Sequence, residues 1–118
     1  MEGSTQTATI LVVDNEIALR LYMTRVLEAE GFAVLQAGSV PDALSVLDGE
    51  AGRVRLVITD VVMPGLTGRD LAARLADRPA SPPVLFVSGS DSDVPGPLLR
   101  KPFLPTDLSA VARNLIHQ

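Results

Sequence analysis

The sequence predicts an α/β fold: a doubly wound, five-stranded parallel sheet with helices on both faces. Two patterns predict it. Short apolar runs rich in β-branched residues recur along the chain, and segments with helical spacing alternate with them. A run that is apolar throughout suits a strand covered on both faces, and βαβα alternation builds a parallel sheet. The first strand is residues 9–13, and the helix after it carries Leu19, Tyr22, Met23, Val26 and Leu27 at helical spacing before Gly31 ends it. Residues 33–36 make the second strand; Ala43, Leu44 and Leu47 mark the second helix, which Gly49 and Gly52 close. The third strand is residues 54–59, and Leu71, Leu75 and neighbouring alanines carry the third helix, stopped between Pro79 and Pro83. Residues 83–87 make the fourth strand, Leu98 and Leu99 a weaker fifth. A last helix covers residues 105–116, with Leu108, Val111, Ala112 and Leu115 as one apolar stripe.

One connection breaks the rhythm. Only residues 89–96 separate the fourth strand from the fifth. A parallel crossover normally takes a dozen or more residues, and two glycines and a proline oppose helix here, so the fourth helix is expected to be shortened or replaced by a loop.

A chain of 118 residues, 47% hydrophobic, has apolar material for one core, which predicts a single domain over residues 1–118 with its core at about 8–117. The net charge of -4, with no run of Lys or Arg, argues against direct nucleic-acid binding. There is no cysteine, which removes disulfides and thiolate chemistry, and the single histidine, His117, stands near the end of the sequence. A metal site must therefore use oxygen ligands and a hard ion. The apolar runs are strand-sized, too short to span a membrane, and residues 1–7 carry no signal-peptide pattern, so a cytoplasmic location is expected.

Open parallel sheets bind ligands beyond the carboxyl ends of their strands. Asp14, Asn15 and Glu16 follow the first strand, Asp60 the third, Ser88 the fourth and Lys101 the fifth. Carboxylates, an amide, a hydroxyl and an ammonium would meet on one rim, a set suited to phosphoryl transfer onto a carboxylate. Asp60 is the expected nucleophile. Mg²⁺ would be held by oxygens of Asp14, Asn15, Asp60 and a backbone carbonyl just after it, while Lys101 and Ser88 would meet the phosphoryl oxygens.

Four motifs carry a family resemblance: Ile10-Leu-Val-Val-Asp-Asn-Glu16; Leu56-Val-Ile-Thr-Asp-Val-Val-Met-Pro-Gly65 with Gly68; Val84-Leu-Phe-Val-Ser-Gly89; and Leu99-Arg-Lys-Pro-Phe103. Through them the chain resembles the receiver domains of bacterial two-component response regulators and hybrid histidine kinases over residues 10–115. The resemblance implies the flavodoxin-like receiver fold with strand order 2-1-3-4-5. It makes Asp60 the phosphoacceptor, Asp14 and Asn15 the acidic pair, Val62 the donor of a carbonyl to the metal, Ser88 the hydroxyl switch and Lys101 the conserved-type lysine. It also implies a cis bond between Lys101 and Pro102.

The chain departs from the family pattern in places. Asn15 stands where the family has Asp or Glu, and an amide oxygen binds a hard dication more weakly than a carboxylate does. Leu98 stands where an aromatic rotamer switch is common. Leu104 precedes Pro105 where a Ser or Thr often caps the last helix; Leu104 cannot cap, and Thr106 and Asp107 are expected to compensate in part.

Bland readings stand beside the functional ones. Asp14 or Asn15 could simply cap the first helix, Gly65 and Gly68 serve the loop backbone, Asp91 and Asp93 belong to a solvated loop, and Tyr22 lies in the core or on a helix surface. The function expected is that of a signalling phosphoacceptor rather than an enzyme with turnover. Asp60 would receive phosphate from a histidine kinase or histidine phosphotransfer protein. The alternative is a receiver-like interaction module that works without phosphorylation. A hydrolase with an aspartyl-phosphate intermediate would need an acid two residues after Asp60, where Val62 stands.

Overall fold

The structure is a computed structural model that describes residues 7–50, 52–90 and 93–117. Its elements run β1 (Thr9–Val13), α1 (Ile17–Ala29), β2 (Ala33–Ala37), α2 (Val40–Gly49), β3 (Val54–Asp60), α3 (Gly68–Ala76), β4 (Val84–Ser88), β5 (Leu98–Arg100) and α4 (Pro105–Ile116). The five strands form one parallel sheet in the order β2-β1-β3-β4-β5, as expected.

Alternation along the strands divides the core into two layers. Ile10, Val12, Leu56, Ile58, Leu85 and Val87 face one side, where they pack with Met23 and Leu27 of α1 and with Leu108, Ala112 and Ile116 of α4. Leu11, Val13 and Val57 face the other, against Val40, Ala43 and Leu47 of α2 and Leu71 and Leu75 of α3. Apart from Tyr22, the helical stripes read from sequence are thus the buried or half-buried faces. Tyr22 sits on the exposed face of α1, its ring 6.2 Å from that of Phe103.

Strand ends differ by a residue from the sequence expectation, for identifiable reasons. Pro83 has no N–H for the ladder, so β4 starts at Val84, although the Pro83 carbonyl still accepts the Val57 N–H at 3.0 Å. Asp60 stays in the sheet because it pairs with Val87, and Ser88 because it pairs with Arg100.

The helix starts are made in different ways. Ser39 Oγ accepts the Asp42 N–H at 3.2 Å above α2. Thr67 and Asp70 form a reciprocal capping box on α3: the Asp70 carboxylate accepts the Thr67 N–H at 2.7 Å, and Thr67 Oγ1 accepts the Asp70 N–H at 3.3 Å. Leu104 offers no side-chain acceptor at the start of α4, yet the Asp107 carboxylate accepts the Leu104 N–H at 3.0 Å, so half a capping box is present and Asp107 compensates as anticipated. The capping role considered for Asp14 or Asn15 is not realised at the N-cap position of α1, which is Glu16 and makes no side-chain cap bond.

Among the described residues no helix lies between β4 and β5. Asp91, expected in a solvated loop, lies outside the described residues; Asp93 is exposed. The rest of the connection is pinned at two points. Arg69 Nε donates to the Asp93 carbonyl at 2.8 Å. At Gly96 a Cβ would stand 3.3 Å from both the Phe86 ring and the Val84 carbonyl, a fit tighter than side chains normally make. A groove edged by Ala72, Ala73 and Ala76 of α3, Pro97 and Leu115 opens beside it.

Candidate phosphoacceptor site

Parallel pairing sets the rim of the site. Val13 pairs with Thr59, so the residues that follow, Asp14 and Asp60, leave the sheet side by side at the carboxyl ends of β1 and β3. Asp60 pairs in turn with Val87, one residue before Ser88, and the Lys101 N–H donates to the Ser88 carbonyl at 2.8 Å. Asp14, Asp60, Ser88 and Lys101 are thereby drawn together from four strands. Strand parity aims the first two the same way, since Asp14 continues the Ile10 and Val12 face and Asp60 the Leu56 and Ile58 face.

The side chains make a charged cluster. Lys101 Nζ lies 3.6 Å from Asp60 Oδ2 in an ion pair that is partly shielded from solvent. The bond between Lys101 and Pro102 is cis, as the resemblance implied. Ser88 is buried, and its Oγ accepts the Ser90 N–H at 3.2 Å. Asp14 is 0% exposed. Its Oδ1 accepts the Glu16 N–H at 2.8 Å, while Oδ2 is buried with no hydrogen-bond partner. Burial pushes its carboxyl above the usual range; the Glu16 N–H opposes that shift, the neighbouring Asp60 charge adds to it and Lys101 opposes it. A buried, unpartnered carboxylate oxygen beside a second carboxylate is a costly arrangement unless a cation completes it.

The donor set fits a hard divalent ion. Asp14 and Asp60 supply carboxylate oxygens, with the orphaned Asp14 Oδ2 available, and Asn15 is exposed at the mouth of the site. Val62, two residues after Asp60, is 71% exposed between the buried Val61 and Met63. Among the described residues there is no group of three or more His, Cys, Asp or Glu placed to hold a metal ion, and at this rim the residue beside Asp14 is an amide, Asn15.

The loop from β3 to α3 is shaped by backbone requirements, as anticipated for its glycines. Gly65 has φ +76°. At Gly68 a Cβ would stand 2.3 Å from the Asp60 carbonyl oxygen, and the Gly68 N–H donates to the Val61 carbonyl at 3.0 Å. Only glycine lets α3 start this close to the end of β3.

Arg20 was not singled out from sequence. In the structure its Nη1 donates to the Asp14 carbonyl at 2.9 Å and its Nε to Gln36 Oε1 at 3.1 Å. The available signal was its place six residues after Asp14 in the first turn of a helix, with Gly38 following the second strand.

Comparison with known proteins points the same way as this geometry. The family model for the response regulator receiver domain matches residues 10–95. The chain is 36% identical over 86 residues to the sensor kinase CckA of Brucella abortus (strain 2308), covering 73% of this chain and 9% of that protein. It is 32% identical over 120 residues to the aerobic respiration control protein ArcA of Escherichia coli (strain K12), covering 94% of this chain and 49% of that one. The chain thus spans half or less of the length of these relatives. Among solved structures, the receiver domain from the hybrid histidine kinase CckA superposes with a TM-score of 0.83 at 33% identity, covering 92% of this chain and 99% of that one. A putative response regulator from Chloroflexus aurantiacus J-10-fl gives 0.86 at 25% identity, covering 96% and 100%.

Proposed function

Since the chain belongs to the response regulator receiver domains, whose family role is that of phosphoacceptor in a phosphorelay, we propose that it carries out this role through Asp60. A carboxylate oxygen of Asp60 attacks phosphorus in line, the bond from phosphorus to a donor histidine nitrogen breaks, and the histidine leaves with the electron pair. Asp14, Asp60, Asn15 and the Val62 carbonyl would hold Mg²⁺, which offsets charge on the phosphoryl oxygens when bound. Lys101 supplies a fixed positive charge to the same oxygens, and the Ser88 hydroxyl donates to one of them while its Oγ accepts the Ser90 N–H. The observation that carries this reading is the convergence on one rim of the Asp60–Lys101 ion pair and the unpartnered Asp14 oxygen.

The donor is a histidine kinase or a histidine phosphotransfer protein, and the module is a single receiver domain with its core over about residues 8–117. It works as a signalling switch rather than as an enzyme with turnover, in the cytoplasm. Among the described residues no helix is long and apolar enough to cross a membrane.

Intact mass after incubation with acetyl phosphate and Mg²⁺ tests the proposal. One phosphate adduct is expected, dependent on Mg²⁺ and lost in Asp60→Ala. Asn15, which removes a carboxylate from the site, favours a second reading: an interaction module that needs no phosphorylation. Absence of any adduct, even with a competent histidine kinase supplied, would select it.

A further inference from the structure

Asp14 lies just past the end of β1, where the sheet no longer fixes the backbone: its N–H still donates to the Ala37 carbonyl at 3.1 Å, but its carbonyl oxygen bonds a side chain instead. That side chain is Arg20. The guanidinium reaches back over the first turn of α1 and spans two segments, with Nη1 on the Asp14 carbonyl at 2.9 Å and Nε on Gln36 Oε1 of β2 at 3.1 Å. Gly38 makes the space, because a Cβ there would stand 3.0 Å from Arg20 Nη1. Arg20 is itself anchored within the helix, its N–H donating to the Glu16 carbonyl at 3.0 Å and its carbonyl accepting from Thr24 Oγ1 at 2.8 Å.

We infer that Arg20 is a positioning residue for the acidic pair, fixing the peptide between Asp14 and Asn15 so that the oxygens of both converge on one cation. The inference rests on the metal-assisted reading above and adds a residue to it. The peptide plane held by Nη1 sets the direction from which the Asn15 side chain leaves and orients the Asp14 carboxyl, whose other restraint is the Glu16 N–H. Mg²⁺ demands near-ideal octahedral geometry and sheds water reluctantly, so a site with one carboxylate fewer depends more heavily on preorganised donors. A planar guanidinium can serve two acceptors on two segments at fixed separation; a lysine ammonium is a single point on a flexible stem.

The test is Mg²⁺ titration of the full chain by calorimetry, with wild type, Arg20→Lys, Arg20→Gln and Gln36→Ala compared, and urea unfolding to establish that each is folded. Both Arg20 variants are expected to weaken Mg²⁺ binding about tenfold or more, the usual effect of removing an outer partner of a metal ligand. Gln36→Ala, which frees only Nε, is expected to weaken it by less. With acetyl phosphate the Mg²⁺ concentration giving half-maximal rate should rise by the same factor, while the rate at saturating Mg²⁺ stays near wild type. Folded Arg20 variants with wild-type Mg²⁺ affinity would overturn the inference while leaving the proposed function intact. Should both Arg20 variants fail to fold, unchanged affinity in Gln36→Ala would overturn it. Wild-type protein that binds no Mg²⁺ would sink the metal-assisted reading and this inference together.

Discussion

Asp14 is under opposed demands. Its value to the site lies in an oxygen left without a partner, and the same feature costs stability when no cation is present. Because burial raises its carboxyl above the reference value of 3.8, the folded protein binds more protons than the unfolded chain in the window above that value. Stability therefore falls as pH rises through this window; the penalty is absent below the unfolded value and fully present above the raised folded one. Asp14→Asn is expected to melt at a higher temperature than wild type at pH 7 without metal, with the difference closing as pH falls toward about 4. Adding Mg²⁺ should stabilise wild type and leave the variant unmoved. Thermal melts across pH, with and without Mg²⁺, measure both effects.

Gly68 shows two residue-scale effects in competition. Replacing a helical glycine by alanine ordinarily gains up to about 1 kcal/mol. Here the new Cβ would meet the Asp60 carbonyl oxygen at 2.3 Å, and that neighbour is backbone at the end of a central strand, which cannot swing away. Overpacking of this kind costs about 1–3 kcal/mol, so the clash wins and Gly68→Ala is expected to lower the urea midpoint with little change in slope. It should also slow adduct formation, because relief of the clash moves Asp60.

At the scale of elements, the helix starts separate what sequence reveals from what it conceals. The full box on α3 and the half box on α4 both follow from residue identity, since Thr67 has an acceptor to offer and Leu104 has none. Leu104→Ser should complete the box on α4. Leu104 is 64% exposed, so little apolar burial is lost, and the variant is expected to gain about 1 kcal/mol, read as a higher melting temperature. The start of α1 was not legible in the same way. Asn15 is a good capping residue by type, yet the N-cap falls one residue later, on Glu16, and Asp14 takes the Glu16 N–H from outside. Local composition cannot distinguish a cap from a side chain set by the end of the preceding strand. Arg20 was missed for a related reason: its partners are a carbonyl and an amide on two other segments, and its place six residues after Asp14 allows the contact without fixing which way a long side chain turns.

At the scale of the molecule, the rim was legible because topology does most of the work. Once four strands are parallel and in order, their final residues share one edge, so Asp14, Asp60, Ser88 and Lys101 could be grouped before any side chain was placed. The strands themselves were legible to within a residue, since burial on both faces writes unbroken apolar runs such as Ile10 to Val13. β5 was the faintest: it is three residues long, lies at the edge and ends in Arg100, so little in it demands burial.

The connection from β4 to β5 has a meaning in chain entropy. The free energy of closing a loop grows only with the logarithm of its length, about 0.6 kcal/mol for each doubling, so lengthening this link to the size of a helical crossover would cost little. What holds the present path is local: Arg69 on the Asp93 carbonyl, and the close approach of the Gly96 backbone to the Phe86 ring and the Val84 carbonyl. A Gly-Ser segment of about ten residues inserted at position 91, between those anchors and β4, should lower stability by no more than about 1 kcal/mol in urea unfolding. The face beside α3 is thus open to being rewritten, by selection or by design, without disturbing the strands that carry Asp60 and Lys101.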